Sequence, residues 1–314
     1  MDLRQLRYLV ALAEHLNFTR AAAAEHVAQP ALSQQIRRLE EEVGVGLVER
    51  TTRRVALTEA GELLAVRARR ILAELAIARE ELEALRGVDV GHVTIGAIHT
   101  MGPIDLSLAL ASFHEAHPGV ALTVREQASE ECAELLRADE LDLAFLSVTE
   151  RVESHELALH QLISEELMVL LPRGHALAGR ARVRMAELAQ EDFISFRQGA
   201  RLRELLFSAG RDAQFEPRVT LESNEAQRIR ALVSRGLGVA ILPRSDAMVA
   251  DADVVAAPIV EPVLRRDITL AWRAGRRQSP ATAAFLELAL EMFGEVGAAP
   301  GGADGAPPGP PADL

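Results

Sequence analysis

Apolar residues at steps of three and four open the chain: Leu3, Leu6, Leu9, Val10, Ala13 and Leu16 share one face of a predicted helix. A second helix is predicted from Thr19, with Phe18 as the apolar residue outside its cap, through the alanines 21 to 24 to about Val27. Gln29-Pro30 opens a third, with proline where its missing N–H costs nothing, and Leu32, Ile36, Leu39 and Val43 form its buried stripe up to Gly44. The stretch from Arg50 to Leu57 alternates weakly and predicts a short hairpin carrying Thr51, Thr52, Arg53 and Arg54. Thr58 is the expected cap of a long fourth helix reaching about Leu85. Along it Leu64, Ala68, Ile71, Leu75, Ala78, Leu82 and Leu85 repeat at alternating steps of four and three, the spacing of a coiled-coil seam. Such a helix is about 40 Å long at 1.5 Å per residue, more than the small head before it can cover. A matching helix from a second copy covers the seam most simply; packing on the C-terminal part of the same chain is the alternative.

After Gly87 the pattern changes to short apolar runs alternating with amphipathic stretches. Strands are predicted at 93–98, 120–124, 143–146, 167–171, 193–196, 219–221, 239–242 and 268–272. Helices are predicted at 103–117, 130–138, 201–209, 224–235 and 280–293. This alternation predicts sheets covered on both faces. The length fits two subdomains, with crossings near 162–166 and 262–267. The tail from 297, rich in Gly, Ala and Pro without periodicity, is expected to be disordered.

Charge changes this picture in one respect. The 34 basic residues are all Arg, against 46 Asp and Glu. Residues 1–86 hold 13 Arg and 13 acids, so the remainder carries the whole net charge of −12. A uniformly basic coat for nucleic acid is excluded, while local Arg clusters on a neutral N-terminal module are allowed. Met1-Asp2-Leu3-Arg4 leads into an amphipathic pattern rather than a secretion signal, and no run reaches the roughly 20 apolar residues of a membrane span. A cytoplasmic protein without membrane contact is expected. The single cysteine, Cys132, supplies neither an intrachain disulfide nor a thiolate-rich metal site.

Helices two and three, joined by the short connection from His26 to Gln29, have the spacing of a helix-turn-helix. Opposite its buried stripe, helix three presents Ser33, Gln34, Arg37 and Arg38, and its first turn brings Gln29 and Pro30 forward. Gln can pair with adenine in a bidentate way, Arg with guanine, and Ser can reach a base edge or a phosphate. Backbone N–H groups at the start of such a helix suit phosphate oxygens. Thr19, at the start of helix two, joins this set. In the hairpin Arg53 is the preferred minor-groove probe, Arg50 a positioning or structural residue and Arg54 a further cation.

These residues carry a resemblance. Phe18-Thr19-Arg20-Ala21-Ala22, Gln29-Pro30-Ala31-Leu32-Ser33-Gln34-Gln35-Ile36, Leu39-Glu40, Gly44, Leu47, Arg50 and Leu57-Thr58-Glu59-Ala60-Gly61 resemble the winged helix-turn-helix of the LysR-type transcriptional regulators. Val27, Val43 and Val48 depart from that pattern by reducing core volume. The resemblance implies an α+β multidomain chain. It comprises a winged helix-turn-helix over 1–58, a linker and dimerisation helix over 59–87 and a two-subdomain α/β effector-binding module over 88–296. That module resembles type 2 periplasmic binding proteins, with subdomain I at about 88–163 and 267–296 and subdomain II at about 164–266, and residues 297–314 form the tail. By the resemblance Gln29, Pro30, Ser33, Gln34, Arg37 and Arg53 meet DNA. The family's peroxide-sensing branch depends on a cysteine pair, so an intramolecular disulfide switch is excluded here.

In two open α/β subdomains a ligand is met by the C-terminal ends of strands and the helix starts that follow. The candidate loops are 98–103, 126–130 and 146–149, with Phe196, Arg197, the Gly199 turn, Glu222 and Ser223 from the second subdomain. His99, Thr100 and Met101 precede a helix whose first turn is expected to hold Pro103, leaving N–H groups for an anion. The resemblance implies an effector pocket between the loops matching Thr100, Ser129, Ser147 and Phe196. Arg197 favours an acidic small molecule, whereas His99, Glu126 and Glu222 could alter the local sign.

No catalytic set, metal site or cofactor is expected. The chain lacks a phosphate-binding loop with Lys, a Gly-x-Ser-x-Gly elbow and the His-Glu-x-x-His spacing. The partners expected are double-stranded DNA with an inverted repeat, a small-molecule effector and a second copy in a homodimer, with a dimer of dimers and a contact to RNA polymerase admitted. A ligand-independent regulator, a solute-binding protein and an enzyme with a DNA-binding head are the alternatives.

Overall fold

The computed structural model describes residues 1–50, 55–85, 90–148 and 156–294. Thr51, Thr52, Arg53, Arg54, Gly87, Thr149 and the tail from 297 lie outside the described residues. Helix α1 (Leu3–His15) starts from a capping box: the Asp2 carboxylate accepts from the Gln5 amide at 2.8 Å and the Gln5 side chain accepts from the Asp2 amide at 2.8 Å. Its buried face is Leu6, Tyr8, Leu9, Ala11 and Leu12, while Leu3 and Leu16 are 44% and 46% exposed. The face is wider than the expected stripe and rotated from it because α1 touches three helices, α2 (Phe18–Ala24), α3 (Gln29–Val43) and α4 (Glu59–Leu85).

Helix α2 begins one residue earlier than expected because Asn17 is its cap, accepting from the amides of Thr19 and Arg20 at 2.9 and 3.0 Å. Phe18 is therefore helical and packs on the head core, with Ala21 and Ala22 buried beside it. In α3, Leu32, Ile36 and Leu39 are fully buried. Val43 is not part of that stripe: it is 37% exposed, since Gly44 turns the chain away at φ +75°.

Strands β1 (Val48–Arg50) and β2 (Val55–Leu57) pair antiparallel, with Val48 opposite Leu57. The Thr58 hydroxyl accepts from the Gly61 amide at 3.0 Å and donates to the Gly46 carbonyl at 2.7 Å, so α4 is capped and tied to the hairpin at once. Gly61 permits this approach, because a Cβ there would stand 2.0 Å from the Leu47 carbonyl oxygen. Along α4, Ala65 and Ala68 are buried, Leu64 and Leu75 half-buried, and Ile71 and Leu82 are 42% and 62% exposed.

The remaining elements, in chain order, are β3 (Gly91–Ala97), α5 (Leu106–Ala116), β4 (Val120–Glu126), α6 (Ser129–Arg137), β5 (Leu143–Leu146), β6 (Leu157–Pro172), β7 (Val183–Arg184), β8 (Asp192–Ser195), α7 (Arg201–Asp212), β9 (Arg218–Glu222), α8 (Ala226–Ser234), β10 (Ala240–Pro243), α9 (Arg244–Ala247), β11 (Val254–Val260), β12 (Arg265–Arg273) and α10 (Pro280–Phe293). They fall into two compact units. The first comprises Met1–His99, Leu110–Leu159 and Ala271–Leu286, the second Thr100–Ala109, His160–Leu270 and the segment from Glu287. In the first, β3 lies between β4 and β5 in a parallel trio, Gly91 opposite Val120 and Ile95 opposite Leu143. Phe113 and Phe285 meet edge to face at 5.2 Å beneath it. In the second, β6 pairs antiparallel with β10 and β11, Val169 facing Ile241 on one side and Ala257 on the other. There β8 runs parallel to β9 with an irregularity at Phe193/Ile194.

Besides the short β7 and α9, which the sequence pattern did not predict, α5, β6 and β11 depart from it. Helix α5 starts at Leu106 rather than Pro103, and the Asp105 carboxylate accepts from the Leu108 amide at 3.0 Å. Strand β6 runs for 16 residues instead of five, because Glu165 and Glu166, which break the alternation, are paired by Arg266 and Arg265. Strand β11 was not expected, since its alanines and Pro258 carry weak strand propensity; ladder pairing to β6 supplies what propensity lacks.

Cys132 is fully buried on α6, and burial, with the Glu131 charge beside it, pushes its thiol up to about 12. Maleimide at pH 8 is expected to leave Cys132 of the folded chain unlabelled and to label it fully in denaturant; equal labelling rates in both would contradict this burial.

Candidate nucleic-acid interface and effector site

The stripe Leu32, Ile36 and Leu39 decides which way α3 faces. With it packed on the head core, Gln29, Pro30, Gln34, Arg37 and Arg38 are exposed and Ser33 is half-buried. Among the described residues the side chains of Gln29, Ser33, Gln34, Arg37 and Arg38 have no hydrogen-bond or ion-pair partner. Ala28 at the N-cap makes no side-chain cap bond, but Pro30 has no N–H and the Ala31 amide donates to the Ala28 carbonyl at 2.9 Å, which leaves the Gln29 amide as the first-turn donor for an anion such as a phosphate oxygen. Thr19 is exposed on the first turn of α2, its amide held by Asn17. Arg50 ends β1, and Arg53 and Arg54 are outside the described residues.

Glu40, whose role the pattern did not disclose, positions the hairpin relative to α3. One carboxylate oxygen accepts from the amides of Leu47 and Val48 at 2.9 and 3.1 Å, satisfying two donors at the start of β1. The signal was present in the sequence as a carboxylate just before Gly44, facing a turn that must supply unpaired N–H groups.

The expected effector residues divide between the units. In the first, Ser129 opens α6 and its hydroxyl accepts from the Ser147 amide at 3.0 Å, so the ends of β4 and β5 are joined through two buried serines; His99 is exposed. In the second, Thr100 is 8% exposed and its hydroxyl and carbonyl oxygens both accept from Nη1 of Arg266. Since the hydroxyl oxygen is already an acceptor, its proton remains available for donation to a ligand. Met101 is half-buried beside Gly102, which sits at φ +61°. Of the amide donors expected after this loop, that of Ile104 is taken by the Met101 carbonyl and that of Leu108 by the Asp105 carboxylate.

Arg266 and Glu165 were not singled out by the sequence. Their side chains are 1% and 9% exposed and pair through Nη2 at 3.1 Å and Nε at 3.3 Å. The other Glu165 oxygen accepts from the Ser245 amide at 2.6 Å. Burial depresses the Arg266 pKa, opposed by the Glu165 charge, while burial raises that of Asp246 nearby, opposed by Arg266. An opposite pair of charges inside two otherwise apolar strand runs is the sequence signal for such a buried bond.

Phe196, 3% exposed, belongs to the second unit's core, and its carbonyl accepts from Arg203 at 3.1 Å. Arg203 also pairs with Glu222 and lies over the Phe207 ring at 5.2 Å. Glu222 is thus neutralised within its own unit. Arg197 is exposed, with no partner for its guanidinium among the described residues, and Gly199 turns the loop at φ +88°. The sign of this loop is therefore positive. No helix among the described residues is long and apolar enough to cross a membrane.

A helix-turn-helix with an unengaged Gln/Arg face, a long connecting helix and an α/β module with strand-end polar residues define a DNA-binding protein with an attached sensing module. Family models agree segment by segment: residues 3–62 match the bacterial regulatory helix-turn-helix protein, lysR family, and residues 86–294 the LysR substrate binding domain. The chain belongs to the LysR family of transcriptional regulators, with a DNA-binding helix-turn-helix and an effector-binding domain. It is 38% identical over 288 residues to the uncharacterised transcriptional regulator YnfL of Escherichia coli, covering 91% of this chain and 96% of that one. Among solved structures it is similar to a full-length OxyR variant from Pseudomonas aeruginosa, with TM-score 0.72 and 29% identity over 93% of this chain and 94% of that one. It is also similar to full-length CbnR in complex with its target DNA, with TM-score 0.62 and 26% identity over 93% and 99%.

Removing the Arg266 guanidinium leaves Glu165 buried without its partner. Arg266→Ala is expected to destabilise the effector module by about 3–5 kcal/mol, read as a lower unfolding midpoint; an unchanged midpoint would show that the pair carries no net stability.

Proposed function

We propose that the chain binds an inverted-repeat DNA site as a homodimer through the exposed α3 face, and that a small carboxylated effector controls that binding. The observation that carries the DNA-binding half is the row Gln34, Arg37 and Arg38, unengaged in the protein and opposite a fully buried stripe. Gln29, Pro30, Ser33 and Gln34 read bases or their immediate surroundings; Thr19, Arg37, Arg38, Arg50, Arg53 and Arg54 hold phosphates or grooves. CbnR, similar over most of both chains, has been solved on its target DNA, which supports this reading. The division into 1–58, 59–87 and 88–296 with a tail at 297–314 belongs to the same proposal. So do the homodimer through the α4 seam, its pairing into a dimer of dimers, a cytoplasmic location, a contact with RNA polymerase and the absence of catalysis.

For the effector we propose contacts from His99, Thr100, Met101, Ser129, Ser147, Phe196, Arg197, Gly199 and Glu222. The exposed Arg197 charge and the donor left on Thr100 both favour an acceptor-rich, anionic ligand. The effector shifts DNA binding only as far as it favours one arrangement of the protein over another.

Selection of DNA by the full-length protein is expected to return an inverted repeat. Gln34→Ala is expected to lower specific binding more than nonspecific binding, whereas Arg38→Ala weakens both and reduces the salt slope by roughly 1. An asymmetric consensus would reject the symmetric reading. Calorimetry of the full-length chain against a panel of organic acids is expected to find a ligand that Arg197→Ala and Thr100→Val each weaken tenfold or more. Unchanged affinity in both variants would reject these contacts.

A further inference from the structure

Away from the DNA face and the effector residues, three guanidinium groups converge on one carboxylate. Asp139, at φ +59° between α6 and β5, has a side chain only 2% exposed. Arg70 of α4 approaches its Oδ2 through Nε at 3.6 Å, Arg273 pairs with the same oxygen, and Arg276 reaches Oδ1 at 3.2 Å. Arg276 also reaches Asp142 at 3.6 Å, and the neighbouring Glu140 pairs with Arg69 at 3.2 Å and Arg125 at 3.6 Å. Five arginines therefore meet three acids here, in a chain whose net charge is −12.

Arg70, Arg273 and Arg276 line a cavity of about 200 Å³, together with Ala73, Glu74, Asp139 and the 274–275 turn. That is several times the roughly 30 Å³ a water molecule occupies. Each guanidinium carries five N–H donors in a rigid fork, and among the described residues Arg70 and Arg273 share Asp139 as their ion-pair partner. Arg70 Nε is buried without a hydrogen bond, its approach to Asp139 being too long for one. Among the lining residues three arginines face Asp139 and the exposed Glu74, while Asp142, outside the lining, also draws on Arg276.

We propose that this cavity is a binding site for a small tetrahedral oxyanion, of the sulfate or inorganic phosphate type. Three forks approaching from separate segments offer donors in the several directions that a tetrahedral anion's oxygens require. Arg70 comes from the linker helix, Arg273 from the end of β12 and Arg276 from the turn after it, so a bound oxyanion ties α4 to the module it carries. The site is independent of the proposed effector and DNA contacts.

The test uses the full-length chain without DNA. Sulfate and inorganic phosphate are titrated by calorimetry and by thermal unfolding, with chloride at matched ionic strength as reference. Both anions are expected to bind saturably and to raise the unfolding midpoint beyond chloride. Arg70→Gln, at a partly exposed helix position, is expected to weaken them tenfold or more, and Arg70→Lys, which keeps the charge without the fork, by less. Arg37→Ala with Arg38→Ala, on the DNA face, is expected to leave both responses unchanged. Should Arg70→Gln fail to fold, Arg70→Lys and Arg276→Lys decide by the same comparison. An unsaturable rise shared by the Arg70 variants, loss of the response in the Arg37/Arg38 variant, or a response to succinate but to neither tetrahedral anion would overturn the proposal.

Discussion

Burying Leu32, Ile36 and Leu39 against α1 and α2 is the constraint on which the DNA-binding half depends. A helix has one azimuth once its apolar stripe is fixed, so Gln34, Arg37 and Arg38 can only point outward. Two further contacts convert that azimuth into a complete head. Asn17 caps the alanine-rich α2 and fixes where it starts, and Glu40 gathers the amides of Leu47 and Val48 so that the hairpin starts from the far end of α3. Neither contact touches DNA in the proposed mode. Their effect is to hold the chemistry at a fixed distance and angle.

The effector module is organised by buried charge rather than by apolar packing alone. Removing Arg266 and Glu165 from water is costly, and their pairing, with Thr100 and the Ser245 amide taking up further donors and acceptors, offsets that cost only in this geometry. The result is directional. Thr100 has its oxygen occupied and its proton free, which turns an ambiguous hydroxyl into a donor. Arg203 acts similarly on Glu222, removing the one carboxylate that would have cancelled Arg197. Near the middle of the linker helix the balance reverses, and one buried aspartate is left to three arginines.

Much of this was legible in the residue pattern. The heptad-like steps of α4, the stripe of α3, proline at its first turn and strand β5 follow from local periodicity and backbone stereochemistry, which act over a few residues and so are written in the sequence. What the pattern could not place depends on partners far along the chain. Val43 sits at a stripe position yet is exposed because of the turn at Gly44. Helix α5 starts past Pro103 because Asp105 caps it. Glu165 and Glu166 read as strand breakers until Arg265 and Arg266, about a hundred residues later, neutralise them and allow a strand of 16 residues. The sequence by itself determined the family, the longer helices and the outward face of the recognition helix, because those rest on short-range spacing. Only the tertiary structure decided which charges are cancelled, which hydroxyl is left as a donor and where arginines accumulate, because Coulomb and hydrogen-bond energies depend on distance in space and not on distance along the chain.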